Sequence, residues 1–148
     1  MENIFYHGTY EDSYNEIVEK GVILNSIQEA DETSIINDVL NSYSYSNVRN
    51  GAVFLTDNEK EAECYECNIK IDINNLNTNL LYVADNDITN NILNAYFSKN
   101  KKKMNYFIRK YLRSLIPFDK YKDIEKEYNS IHPHREYLYF NSINLVDL

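Results

Sequence analysis

The sequence predicts an α+β domain organised around a mostly antiparallel sheet, and three observations lead there. Period-two apolar runs and stretches of three-four spacing follow one another in the order strand, helices, several strands, helices, two strands. A length of 148 residues with 43% hydrophobic side chains is enough for one sizeable core. No repeat, Pro-rich linker or compositional break divides the chain, so residues 1–148 read as a single domain.

"NIFYH" (3–7) opens the chain as a short buried strand. "SYNE" (13–16) has the Ser-x-x-Glu form of a capping box, in which Ser13 and Glu16 would satisfy the first free N–H groups of a helix. Tyr14, Ile17 and Val18 mark one face of that helix, and Gly21 closes it as a C-terminal cap. A second helix is expected over 30–41 with Ile35, Ile36, Val39 and Leu40 inward. "NSYSYSNVRN" (41–50) lacks any period, as a polar loop does. "GAVFLT" (51–56) is a strand entered through Gly51, and "DNEKEAECYE" (57–66) an acidic helix with Asp57 near its N-cap.

"NIKIDI" (68–73) alternates with period two, and "LLYVA" (80–84) follows an Asn-rich turn. Helical spacing returns at Ile88, Ile92 and Tyr96. It recurs from Met104 through Phe107, Ile108, Tyr111 and Leu112 to Leu115, and Pro117 ends it. "EYLYF" (136–140) and "INLVDL" (143–148) complete the chain as two strands.

The net charge of −8 conceals an asymmetry. Residues 1–98 hold 4 Lys+Arg against 17 Asp+Glu, whereas residues 99–148 hold 11 against 6. Such segregation points either to an anionic partner or to a solvated helix pair offsetting an acidic body. The basic segment 99–128 mixes cations with rings, as a single-stranded nucleic-acid surface requires. Helical spacing instead assigns Tyr106, Tyr111 and Tyr128 to the core and the lysines to solvent, so weak or no nucleic-acid binding is expected. No apolar run is long enough to span a bilayer, and the N-terminus lacks a signal-peptide pattern. The expectation is therefore no membrane partner and a cytoplasmic setting, in its own cell or in a host.

Cys64 and Cys67 form one Cys-x-x-Cys, and His132 and His134 flank Pro133. Zinc modules space their histidines further apart, so two reduced structural cysteines and no metal are the preferred reading. The opening "IFYHGTYEDSYNEIVEKGV" (4–22) poses a chemical question, because one of only three glycines stands between His7 and Thr9. A turn needs the glycine but has no use for the imidazole. The combination suggests a strand end where the backbone comes close to a ligand while His7 points at it.

These residues carry a resemblance. "FYHGTYEDSYNEIVEKGV" resembles the opening of the ADP-ribosyltransferase fold, in which a strand ending in His-Gly-Ser/Thr precedes a helix. "GAVFLTDNEKEA" (51–62) is similar to the family's central strand and the helix after it, and "EYLYFNSINL" (136–145) to the strand that begins with the catalytic Glu. The three blocks stand in family order. The resemblance implies a split, mostly antiparallel sheet with flanking helices and NAD as the substrate that donates ADP-ribose.

It further implies roles. The backbone of Gly8 would grip the nicotinamide carboxamide, so that a side chain there would exclude NAD while sparing the fold. His7 would bond the adenine-side ribose, and Thr9 would add a hydroxyl near the same sugars. Phe54 stands where the His-Tyr-Glu type carries a ring-stacking Tyr, with Thr56 beside it in the cofactor-binding set. Tyr43 or Tyr45 could supply a further aromatic wall. Glu136 would support the positive charge that develops at the ribose anomeric carbon as nicotinamide leaves.

The activity implied is transfer of ADP-ribose to a macromolecular acceptor, a protein more readily than a nucleic acid. The size is similar to that of stand-alone bacterial toxins and small phage enzymes, anti-CRISPR transferases among them, that modify host factors. Three other readings remain open. The chain could be a non-catalytic binder on the same fold or an enzyme resembling RNA 2′-phosphotransferases, and Glu136 could be a surface residue beside Arg135.

Overall fold

The computed structural model describes residues 4–25, 36, 49 and 51–145. Among the described residues, eight strands and six continuous helices follow in mixed order, with every strand pairing antiparallel. The expected helix over 30–41, apart from a helical and buried Ile36, and the loop with Tyr43 and Tyr45 lie outside the described residues.

Strand β1 (Ile4–Thr9) runs through the whole His-Gly-Thr and pairs with β4 (Cys67–Asp72). Its other edge meets β3 (Val53–Leu55) through reciprocal bonds between Tyr6 and Thr56, at 2.8 and 2.9 Å. A four-stranded sheet follows in the order β3, β7 (Arg135–Tyr139), β5 (Leu81–Asp85), β6 (Ile116–Pro117). Strand β2 (Val22–Ile23) pairs separately with β8 (Ile143–Asn144). Of the last predicted strand, 143–148, only its start is a strand among the described residues.

Helix α1 (Glu11–Lys20) ends at Gly21, whose φ of 71° is the left-handed cap that glycine adopts without strain. The capping box is not used. The helix begins at Glu11, two residues ahead of Ser13, and its N-cap Tyr10 offers no side-chain bond. Acidic Glu11 and Asp12 in the first turn favour the positive end of the helix dipole, while Glu16 pairs with Lys20 at 2.6 Å. Ile17 is buried, but Val18 faces solvent.

Helix α2 (Glu59–Ala62) is a single turn capped by Asn58 and not by Asp57. Two 3₁₀ turns, Ile73–Asn75 and Thr78–Leu80, occupy the Asn-rich connection, each begun by an Asp or Asn side chain accepting from the N–H two residues on. Helices α3 (Asn86–Phe97) and α4 (Lys101–Ser114) pack on each other across a short turn as a helical hairpin. Two short helices, α5 (Phe118–Asp123) and α6 (Glu125–Ile131), follow Pro117. No helix among the described residues is long and apolar enough to cross a membrane.

Strand alternation divides the core between the two faces of the central sheet. Val53, Leu55, Leu81, Val83, Tyr137 and Tyr139 point to one face, where Phe118, Tyr121 and Tyr128 of α5 and α6 cover them. Phe54, Ala84 and Leu138 point to the other face, beneath Ile88 and Ile92 of α3 and Ile108 and Tyr111 of α4. Tyr111 and Tyr128 are core, as expected, whereas Tyr106 is 56% exposed.

Candidate functional site

The three blocks that carry the resemblance lie on adjoining strands, β1, β3 and β7. In the β3–β7 ladder Phe54 is opposite Leu138, and opposite residues share a face. Glu136, two residues before Leu138, therefore points to the same face as Phe54. This is the face under α3 and α4, and Glu136 is buried there at 7% exposure. The surface reading of Glu136 fails for that reason, and Arg135 does not touch its carboxylate. Arg135 and Tyr137 instead donate to Asp57 Oδ2, at 2.8 and 2.7 Å.

Both carboxylate oxygens of Glu136 are engaged. Tyr111 OH donates to Oε1 at 2.6 Å, and Arg49 Nη2 donates to Oε2 at 3.1 Å in a buried ion pair. The guanidinium also lies over the Phe54 ring, 4.5 Å from its centroid, and 5.8 Å from that of Tyr111. Burial, and next the neighbouring Glu136 charge, push the Tyr111 phenol well above its ordinary range, so it stays a donor. Arg49 and Tyr111 were missed in the sequence. Arg49 had a signal, as one of only 4 cations in the first 98 residues. Tyr111 had none, because its hydroxyl meets Glu136 only through long-range packing.

His7 reaches the same strand from the other side. Its ring Nδ1 lies 2.9 Å from the Phe54 carbonyl. A carbonyl only accepts, so Nδ1 carries the proton and the neutral ring keeps its Nε2 lone pair as an acceptor. Burial lowers the His7 pKa, partly offset by this bond, which favours that neutral form. Among the described residues no hydrogen bond joins His7 to Glu136.

The remaining candidates are placed less openly than the sequence suggested. Thr9 is buried, and its hydroxyl has no hydrogen-bond partner among the described residues. Thr56 donates to Glu61 Oε2 at 2.8 Å and accepts from the Asn58 N–H at 3.0 Å, so its hydroxyl organises the turn into α2.

At Gly8 the close approach is real, but its object is the chain's own Tyr65. A Cβ built on Gly8 would lie 2.4 Å from Tyr65 Cδ2 and 2.9 Å from Cγ. A side chain at Gly8 would therefore meet Tyr65, and the ring would have to shift for the fold to be spared. Gly8→Ala is expected to destabilise by about 1–3 kcal/mol, the usual cost of overpacking. The Gly8→Ala/Tyr65→Ala double variant should fall short of the sum of the single losses. Urea unfolding of the four proteins measures this, and strict additivity would mean that Tyr65 is not what the glycine accommodates.

Cys64 and Cys67 are free thiols. The two histidines go to aspartates instead: His132 Nδ1 is 2.6 Å from Asp85 Oδ2, and His134 Nδ1 is 2.9 Å from Asp87 Oδ2. No group of metal-ligating side chains occurs among the described residues. No family model, curated protein or solved structure matches this chain.

Proposed function

We propose that this chain is an NAD-dependent ADP-ribosyltransferase that moves ADP-ribose from NAD to a macromolecular acceptor, a protein in the first instance. The observation that carries the reading is the adjacency of its three blocks. His7, Phe54 and Glu136 lie far apart in sequence and stand on neighbouring strands, with the His7 ring bonded to the Phe54 carbonyl. The β1–β4 pair, joined to the four-stranded sheet through one bridge, also fits the split sheet of that family.

The chemistry follows from the side chains present. His7 Nε2 accepts from a ribose hydroxyl. Thr9 Oγ1, buried and unpartnered among the described residues, is a polar atom that a bound sugar would satisfy. Glu136, paired with Arg49, stabilises positive charge at the ribose carbon as nicotinamide departs. For that, one of its two present partners gives up an oxygen to the ribose.

A specific observation favours a second reading, a non-catalytic binder on the same fold. Both oxygens of Glu136 are occupied and Tyr65 stands on Gly8. The test is thermal unfolding with NAD, combined with an assay for released nicotinamide. A ligand that binds only the folded state at a hundredfold excess over its Kd adds about 2.7 kcal/mol. The transferase reading expects both a raised Tm and slow nicotinamide release. A raised Tm without release supports the binder, and neither effect at millimolar NAD removes the transferase reading.

A further inference from the structure

The α3–α4 hairpin carries an exposed surface that the proposed transfer reaction does not use. No Asp or Glu occurs from residue 88 to residue 118, yet seven cations lie between Lys99 and Arg113. None of the seven forms an ion pair among the described residues. In a chain of net charge −8 this is a concentrated positive field.

Rings stand among these charges. Phe97 is 65% exposed, Tyr106 56% and Tyr96 45%. On α4 the inward residues Ile108 and Tyr111 are buried, so the opposite side is solvent-facing throughout. There Lys103, Tyr106, Lys110 and Arg113 recur at three-four spacing as one exposed stripe, and the Lys110 ammonium lies 5.3 Å from the Tyr106 ring centroid. From Lys103 to Arg113 the stripe is about 15 Å long at helical rise.

We propose that this face binds single-stranded nucleic acid. Cations track the phosphates, while Tyr106 and Phe97 offer faces on which unpaired bases stack. Two further observations select this partner over an anionic bilayer. The large hydrophobic side chains exposed on the hairpin are three aromatic rings with no aliphatic residue beside them, which is less than the continuous apolar face of a bilayer-seated helix. The acidic remainder of the chain opposes a broad anionic surface but not a strand as narrow as the stripe. The proposal stands apart from the transferase reading, because neither NAD nor Glu136 enters it.

The test is fluorescence anisotropy with a labelled oligothymidylate of about 15 nucleotides, within the size range of single-strand sites. Salt is varied from about 50 to about 200 mM, where the slope counts the phosphates engaged. The expected slope of log K on log salt is about −2 to −3, for three or four phosphates at about 0.7 each. Tyr106→Ala should weaken binding about tenfold or more, and the Lys103→Glu/Lys110→Glu variant should abolish it. Both changes lie in solvent, so Tm and circular dichroism should hold.

Full affinity in Tyr106→Ala would overturn the proposal, and so would equal binding to a duplex of the same length. Binding to phosphatidylserine vesicles with no oligonucleotide binding would overturn it in favour of a membrane surface.

Discussion

Arg49→Ala should cost the fold about 3–5 kcal/mol, because it strands the Glu136 carboxylate in a buried site with one donor in place of two. Two parts of the loss can be named. The larger is the uncompensated charge, and the smaller is the guanidinium contact with the Phe54 ring. Replacing both members by apolar groups of similar shape, Arg49→Met with Glu136→Leu, should recover most of the stability. Such exchanges are often neutral once neither charge remains. Urea unfolding of the wild type, both single variants and the double variant closes the cycle. An Arg49→Ala protein within about 1 kcal/mol of the wild type would mean that the pair behaves as an exposed one.

Glu136→Gln should lower ADP-ribose transfer by roughly a hundredfold or more, the scale of losing one well-placed electrostatic group. Gln keeps the shape and an acceptor for Arg49, and its amide can donate to the Tyr111 oxygen. The local hydrogen bonds therefore survive while the charge does not. Because the charge acts mainly on the transition state, turnover should fall far more than NAD affinity. Glu127→Gln, on the exposed side of α6, is the control and should be silent. Full transfer in Glu136→Gln would make the carboxylate structural only. A biological role that persists without transfer in either protein would establish the binder.

Local chemistry was legible where a residue answers to its own neighbours in the chain. Gly21 ends a helix, Gly51 enters a strand at φ 79°, and the β1, β3, β5 and β7 runs are strands as read. Misreadings arose where a distant partner decides. Asp57 is drawn from the α2 cap to Arg135 and Tyr137, across nearly the whole chain, which leaves Asn58 to cap. Ser13 begins nothing because Gly8, Thr9 and Tyr10 already place the helix start. Tyr106 sits at a spacing that also fits the core stripe, but α4 turns it outward beside Lys110. The site divides the same way. His7, Phe54 and Glu136 could be named from short motifs, whereas the Arg49–Glu136–Tyr111 cluster exists only through packing.

The turn ahead of β7 is stitched to the start of α3 at several points. His132 and His134 reach Asp85 and Asp87, the Asn86 N–H donates to the His134 carbonyl, and Arg135 Nη1 donates to the carbonyls of His132 and Pro133. Asp85 is at once the last residue of β5 and the N-cap of α3, with its carboxylate accepting from the N–H groups of Asp87 and Ile88. A helix end, two strand ends and a turn therefore share one knot of bonds, and none can fray without loosening the others. Amide protons in this knot are expected to exchange together, which hydrogen–deuterium exchange would measure. The backbone beneath Glu136 is thus a fixed anvil, and any rearrangement that frees its carboxylate falls to the side chains of Arg49 and Tyr111.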